Sequence, residues 1–128
     1  MTTPAKFFFV GVLVVGLDQI TKLYAAENFP IIKNPGMILG INLPGFFDAM
    51  LIALLLVLFA VLYIYYFRRP SLDFVLILAG AVSNLLDRFI LGYVRDFIDA
   101  GIAMMNIADI AVWLGIIFLL VTNFRKAA

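Results

Sequence analysis

The sequence contains neither cysteine nor histidine. Without cysteine, the chain has no disulfide bonds, thiol nucleophiles or metal–thiolate sites. Without histidine, it lacks the commonest metal ligand and the commonest general base of proteins. Any catalysis must therefore depend on Asp, Glu, Lys, Ser, Thr or Tyr side chains, and we expect neither a metal nor another cofactor.

Charged residues are also scarce: they make up 13% of the 128 residues, whereas 66% are hydrophobic. Soluble domains are about half apolar and about one quarter charged. A soluble fold of this length could not bury so much apolar surface, so the composition predicts an integral membrane protein. The net charge of only +1 gives no indication of a nucleic acid partner.

Four long apolar segments alternate with more polar stretches. About 20 helical residues are needed to cross a hydrocarbon core of about 30 Å, and each segment has roughly this length. The predicted spans are residues 6–26, 46–67, 72–91 and 107–123. We therefore predict an all-α membrane protein with four transmembrane helices, built as a single integral membrane domain over residues 1–128.

The connections between the spans indicate their orientation. Residues 27–45 are rich in Pro and Gly and predict a small outer loop or β region between the first two helices; residues 92–105 form the second outer loop. Five basic residues lie on the opposite side, namely Lys6, Arg68, Arg69, Arg125 and Lys126. Because Lys and Arg concentrate in cytoplasmic segments, we expect both termini in the cytoplasm.

Ionisable residues interrupt three of the four spans. At a helical rise of about 1.5 Å per residue, Asp18, Asp87 and Asp109 lie about 18, 21 and 24 Å above the cytoplasmic surface. Such groups are costly inside a membrane and usually mark function. The alternative, snorkelling to the interface, suits Lys22 and Arg88 better than short Asp side chains. The two charges in the first span also argue that it is not a cleaved signal peptide.

Several of these residues share helix faces. Asp18 and Lys22 are four residues apart, and so are Asn84 and Arg88. We expect Arg88 to reach outward or to pair with a carboxylate such as Asp87. Asn106, which precedes the fourth span, has the position of a helix N-cap.

Asp96 in the second outer loop can meet Asp109 if this loop folds over the helices. Two close carboxylates cannot both ionise cheaply, so they share a proton. The ionised one can take a proton from water, and the protonated one can polarise a carbonyl and then protonate a leaving amine. The pair titrates as a unit, so the sequence does not separate the acid from the base.

Five motifs resemble those of the lipoprotein signal peptidases (signal peptidase II), and the match covers most of the chain in the family's order. The motifs are Asp18-Gln19-Ile20-Thr21-Lys22, Asn34-Pro35-Gly36, Asn84-Leu85-Leu86-Asp87-Arg88, Gly92-Tyr93-Val94-Arg95-Asp96-Phe97-Ile98-Asp99 and Asn106-Ile107-Ala108-Asp109. The resemblance implies an intramembrane aspartyl endopeptidase that removes the signal peptide from diacylglyceryl-modified prolipoproteins.

The resemblance also implies a place in the cell and roles for individual residues. The protein would be a multi-pass enzyme of the bacterial inner membrane, in contact with membrane lipid, with its active site near the outer face; we expect a monomer. The implied catalytic pair is Asp96 and Asp109. The implied substrate-binding or supporting residues are Asp18, Lys22, Asn34, Gly36, Asn84, Asp87, Arg88 and Asn106. Residues 27–45 would form a small sheet that cradles the substrate.

Alternative roles remain for several residues. Asp99 could replace Asp96 in the pair or be a solvated loop residue. Ser83 with Lys22 would suggest a Ser/Lys peptidase, but Ser83 lies near mid-membrane, which is deep for a scissile bond. Gly80, Ser83 and Asn84 are more typical of close helix packing with interhelical hydrogen bonds. Asp48 is interpreted as a helix N-terminal charge that the helix dipole favours.

Two other functional classes stay open. A small transporter would need a carboxylate that is reachable from both sides, whereas the inner halves of the spans (residues 7–17, 74–82 and 113–121) are apolar. An inactive homologue that binds lipidated peptides without cleaving them would have the same sequence features.

Overall fold

The computed structural model describes residues 3–35 and 46–127. It contains four long helices: α1 (Thr3–Asn28), α2 (Phe46–Phe67), α3 (Leu72–Leu91) and α4 (Ile107–Ala127). All four are long and apolar enough to cross a membrane, which confirms the predicted fold class. The bounds of α2 and α3 agree with the predicted spans. α1 and α4 continue past theirs, because helices extend into the polar interface that an apolar run does not mark.

Exposure is inverted relative to a soluble protein. Large apolar side chains such as Phe8 and Ile20 are exposed, at 76% and 65%, whereas Asp18 and Lys22 are fully buried. A bilayer is the solvent in which apolar side chains face outward and backbone groups are satisfied within helices. The chain is therefore a multi-pass membrane protein.

α3 lies at the centre of the bundle and packs against α1, α2 and α4. Its approach to α4 is close because each helix presents a glycine. A Cβ on Gly80 would contact the carbonyl oxygen of Ala108, and a Cβ on Gly115 would lie 2.8 Å from the carbonyl oxygen of Asp73. Small residues allow this backbone approach in membranes, so the interpretation of Gly80 as a packing residue agrees with the structure.

The tight turn between α2 and α3 lies at the end of the bundle opposite to the strands. Arg68 adopts a left-handed conformation with φ 68°, and its N–H donates to the carbonyl of Ile64 at 2.9 Å, which closes α2 in the manner of an αL C-cap. Tyr63 Oη and Ser71 Oγ both donate to the buried Asp73 carboxylate. These bonds hold the start of α3 against the end of α2.

The connections between α1 and α2 and between α3 and α4, which the sequence predicts to face outward, form two short antiparallel strand pairs. β1 (Ile32–Asn34) pairs with β2 (Val94–Asp96), so that Ile32 lies opposite Asp96, and β3 (Ile98–Asp99) pairs with β4 (Met104–Met105). The prediction of a β region after the first helix is confirmed for β1. Its partner comes from the second outer loop, which local sequence did not indicate. Residues 36–45 lie outside the described residues.

Candidate active site

Asp18 and Lys22 form a fully buried ion pair one helical turn apart on α1, with Lys22 Nζ 2.6 Å from Asp18 Oδ2. A buried pair is tolerated only when its other polar atoms are also satisfied. Asp18 accepts hydrogen bonds from Ser83 Oγ at 2.6 Å and from the backbone N–H of Ala108 at 2.8 Å. The second bond places a carboxylate at the start of α4, where the helix dipole favours it. Asp18 thus joins α1 to both α3 and α4.

Asp87 is the centre of a second ion pair. Arg95 Nη2 lies 2.7 Å from Asp87 Oδ1, and Arg95 Nε and its backbone N–H each donate to Oδ2 at 3.1 Å. Lys22 Nζ lies 3.3 Å from the same carboxylate. Arg95, and not Arg88, therefore forms the ion pair with Asp87, which was one of the partners expected for Arg88. The strand that follows α3 turns Arg95 back onto Asp87 and satisfies this carboxylate from the loop side. Asp18, Lys22, Asp87 and Arg95 are called the ion-pair network below.

Asn106 holds both carboxylates of the candidate pair, Asp96 and Asp109. It is fully buried, and its Nδ2 donates to Asp96 Oδ1 at 2.7 Å. Its backbone N–H donates to Asp109 Oδ2 at 3.0 Å, and its Oδ1 accepts from the backbone N–H of Asp109 at 2.9 Å. This reciprocal arrangement has the form of a capping box and confirms the predicted N-cap. The second outer loop and α4 thus meet at one residue.

Asn84 connects the candidate pair to the ion-pair network. Its Oδ1 accepts from Lys22 Nζ at 2.8 Å and from Asn106 Nδ2 at 3.0 Å. Two donors on this oxygen fix the orientation of the amide, and Asn84 Nδ2 therefore donates to Asp109 Oδ1, at 2.8 Å. Lys22 holds Asp109 in place indirectly, through Asn84.

Asp96 lies on β2, with 2% of its surface exposed, and its Oδ2 accepts from Asn34 Nδ2 of β1 at 3.2 Å. Burial raises the pKa of Asp96 above its ordinary range, and the negative charge of Asp109 adds to this rise. The hydrogen bonds from Asn34 and Asn106 lower the pKa but do not cancel the rise. Asp96 therefore retains a proton more readily than a solvated carboxylate, as a proton-sharing pair requires.

Arg88, near the end of α3, lies within electrostatic reach of the candidate pair. Asp109, Asp96 and Asp48 are near enough to stabilise its positive charge. Its Nη1 makes one long hydrogen bond, 3.4 Å, to the carbonyl of Asn84 in its own helix. Arg88 thus lies within electrostatic reach of several carboxylates, as the sequence predicted, without forming an ion pair with one of them among the described residues.

The remaining candidate residues are not all brought together. Gly36 lies outside the described residues. Asp99 is exposed and accepts from the backbone N–H of Gly101 at 2.8 Å, so it stabilises a turn away from the candidate pair. Ser83 is fully buried and donates to a carboxylate, which is unsuited to a nucleophile that must reach a substrate. The arrangement therefore disfavours the Ser/Lys alternative.

Sequence reasoning missed two members of the site. Gln19 donates through Nε2 to Asp87 Oδ1 at 3.1 Å and accepts through Oε1 from Arg95 Nη2 at 2.8 Å. Arg95 is likewise named in the sequence analysis only as part of its motif. Each of the two lies next to a predicted site residue in its motif, Gln19 beside Asp18 and Arg95 beside Asp96, and this adjacency is the signal that could have identified them. Among residues 3–35 and 46–127, no three acidic side chains lie together as a metal site.

Comparison with known proteins places the chain among peptidases of the membrane. The family described as Signal peptidase (SPase) II matches residues 10–125. The lipoprotein signal peptidase of Syntrophus aciditrophicus (strain SB) is 32% identical, over 98% of this chain and 97% of that protein. The lipoprotein signal peptidase of Microcystis aeruginosa is 34% identical, over 92% of this chain and 91% of that one.

A solved structure supports the same fold. A bacterial membrane enzyme determined by the in meso method superposes with a TM-score of 0.79, at 24% sequence identity, covering 97% of this chain and 90% of that one. At this identity the likeness concerns the fold. The four helices and short strand pairs described above are thus an arrangement already found in a membrane enzyme.

Proposed function

This chain belongs to the signal peptidase II family of aspartic-type peptidases, and from that premise we propose that it removes the signal peptide from diacylglyceryl-modified prolipoproteins by an intramembrane aspartyl mechanism. The observation that carries the proposal is the position of Asn106, whose side chain and backbone bind Asp96 and Asp109 at once. Two carboxylates anchored to one residue at the mouth of a helix bundle suit acid–base hydrolysis of a peptide bond.

The chemistry follows from one proton shared by the candidate pair. The ionised carboxylate takes a proton from a water molecule as that water attacks the scissile carbonyl. The protonated carboxylate donates its proton to the carbonyl oxygen as the tetrahedral intermediate forms. When the C–N bond breaks, the proton taken from water is delivered to the leaving amine. The raised pKa of Asp96 supports Asp96 as the site at which the resting proton is held.

The other candidate residues support this reaction in different ways. Asn84 and Asn106 orient the two carboxylates, and the ion-pair network holds those amides in place. Asn34, on β1, orients Asp96 from the first outer loop. We assign Asn34, Gly36 and Arg88 to substrate binding, because Asn34 and Gly36 belong to the connection between the first two helices and Arg88 lies one helical turn before the loop that carries Asp96.

We propose further that the chain is a single integral membrane domain and works as a monomer in the bacterial inner membrane, with both termini in the cytoplasm and the candidate pair near the outer face. The Lys/Arg distribution supports this orientation. The diacylglycerol of the substrate and the surrounding membrane lipid then share the outer leaflet, and no nucleic acid partner is expected. Reporter fusions at Ala128 and within residues 27–45 should lie on opposite sides, and equal signals would contradict this topology.

The decisive experiment is cleavage of a synthetic lipobox peptide in detergent. The protein should cleave the diacylated peptide just before the lipidated Cys and turn over an unlipidated copy poorly. Equal turnover of both peptides would indicate a general peptidase. Tight binding of the diacylated peptide without cleavage would indicate an inactive homologue.

A further inference from the structure

Asp48 is a buried acid that the proposed reaction does not use. It lies in the first turn of α2 with 3% of its surface exposed. Neither carboxylate oxygen has a hydrogen-bond donor among the residues that the structure describes. Phe46 packs against Phe89 with ring centroids 6.0 Å apart, so this end of α2 is held against the end of α3 that carries Arg88. A buried carboxylate without hydrogen bonds is costly, and position in a first turn does not account for its burial.

Arg88 is the cation on the facing helix. Its Nε atom is buried and has no acceptor within residues 3–35 and 46–127. Burial disfavours its charge, and carboxylates on several elements, Asp109, Asp96, Asp48 and Asp87, offset part of that cost. Arg88 is therefore within electrostatic reach of both the candidate pair and Asp48.

The other cations at this end of the helix bundle have partners of their own. Lys22 of α1 and Arg95 of β2 lie 2.6 Å and 2.7 Å from carboxylates of the ion-pair network. These pairs are Lys22 with Asp18 and Arg95 with Asp87. Lys33 of β1 is exposed, with its Nζ 5.1 Å from the centre of the Tyr93 ring. Within the described residues, Arg88 is thus the cation without an ion-pair partner that acts on both Asp48 and the candidate pair.

We propose that Asp48 is a positioning residue for the proposed peptidase reaction, which holds Arg88 and offsets its positive charge so that the candidate pair keeps its shared proton. This inference rests on the proposed function. With Asp48 ionised, its negative charge offsets part of the effect that the positive charge of Arg88 has on the candidate pair. With Asp48 neutral, the full charge acts on Asp96 and Asp109 and favours their doubly ionised form, which has no proton to donate to the scissile carbonyl.

The first test is the pH dependence of cleavage of the diacylated peptide. In Asp48→Asn the alkaline limb of the profile should move to lower pH by about one unit, because an unopposed cation favours the doubly ionised form of the pair. Asp48→Glu keeps the charge and should restore the wild-type limb. Asp99→Asn makes the same chemical change at an exposed position and should leave the profile unchanged. An Asp48→Asn profile with the wild-type limb, whatever its height, would overturn the proposal.

The second test needs no substrate. Thermal stability in detergent is measured for wild type, Asp48→Asn, Arg88→Gln and the double variant. Arg88→Gln should destabilise the protein because it leaves Asp48 as an unpaired buried charge. Adding Asp48→Asn should recover part of that loss, so the two effects should be non-additive. Additive effects would show that the two side chains are independent and would overturn the proposal.

The two tests separate the inference from the proposed function. If wild-type protein does not cleave the peptide, the proposed function fails, and the stability cycle still decides whether Asp48 and Arg88 are coupled. If Asp48→Asn yields no folded protein, the double variant distinguishes two roles of Asp48. A folded double variant would show that Asp48 compensates the charge of Arg88. An unfolded double variant would show that Asp48 is needed for packing alone and would overturn the proposal.

Discussion

The two sides of α3 differ in how completely their buried polar groups are satisfied. On the side of α1, the ion-pair network and its hydrogen-bonding neighbours Gln19 and Ser83 saturate one another. On the side of α2, Arg88 Nε and both oxygens of Asp48 are buried without a partner among the described residues. The satisfied side has the character of a scaffold, whereas on the other side Asp48 and Arg88 interact through charge without a hydrogen bond between them.

The largest expected effect concerns the candidate pair itself. Asp96→Asn and Asp109→Asn should each abolish cleavage of the diacylated peptide, because an amide keeps the size but neither takes up nor donates the proton. Members of one catalytic unit are non-additive, so the double variant should be no worse than either single variant. Turnover is measured together with thermal stability in detergent as the folding control.

Asp99→Asn is the matched control for these variants, since the exposed Asp99 carboxylate binds a turn. It should keep substantial activity. An inactive Asp99→Asn protein beside an active Asp96→Asn protein would move the catalytic role within the loop. Activity in both variants of the candidate pair would contradict the aspartyl mechanism.

The next largest effect is expected for a substitution in the ion-pair network on the side of α1. Lys22→Met removes the cation that touches Asp18, Asp87 and Asn84 and leaves buried carboxylates uncompensated. Breaking a buried pair in this way costs about 3–5 kcal/mol, so the free energy of unfolding should fall by that amount, as measured by denaturation in mixed micelles. Lys6→Met, at an exposed position of the same helix, should change it by less than about 0.5 kcal/mol. Similar losses in both variants would mean that the network is not a scaffold.

A smaller effect tests the contact that brings α4 to α3. Gly80→Ala places a methyl group against the backbone of Ala108 and 2.8 Å from Val112 Cγ2. Forcing the helices apart should cost about 1–3 kcal/mol and lower activity, because Asn84 and Asp109 would separate. Gly16→Ala on α1 meets no atom within 4 Å and should be neutral or stabilising. If Gly80→Ala left the free energy of unfolding and the activity unchanged, α3 and α4 would have moved apart at little energetic cost.

The smallest expected effect concerns how the negative charge of Asp96 changes the stability of the fold. The folded protein holds the Asp96 proton more tightly than the unfolded chain does, because burial raises this pKa. As the pH rises from the pKa of Asp96 in the unfolded chain through its higher pKa in the folded protein, ionisation of Asp96 therefore lowers the free energy of unfolding. Asp96→Asn should melt at or above the wild-type temperature at neutral pH, and the difference should shrink in acid, where Asp96 is protonated. A melting temperature below wild type at neutral pH would contradict this assignment.

Local properties of the sequence determined the class of the protein and much of its outline. A run of apolar residues long enough to cross the bilayer is a property of neighbouring residues, so the bounds of α2 and α3 and the four spans were predictable. The helical repeat likewise placed Lys22 beside Asp18, and the N-cap preference identified Asn106. The motifs carried the resemblance to signal peptidase II, and the family match agrees with it.

Only the tertiary structure decided which charges are partners. Asp87 pairs with Arg95 rather than Arg88 because the chain reverses after Gly92, which has φ 81°, and lays β2 along β1. Asp48 is buried because the first turn of α2 packs against α3. Its neighbours in the sequence do not distinguish it from an exposed acidic residue at the start of a helix. Burial and charge pairing depend on helix rotation and loop path. These are set by contacts between residues far apart in the chain, which local periodicity does not encode.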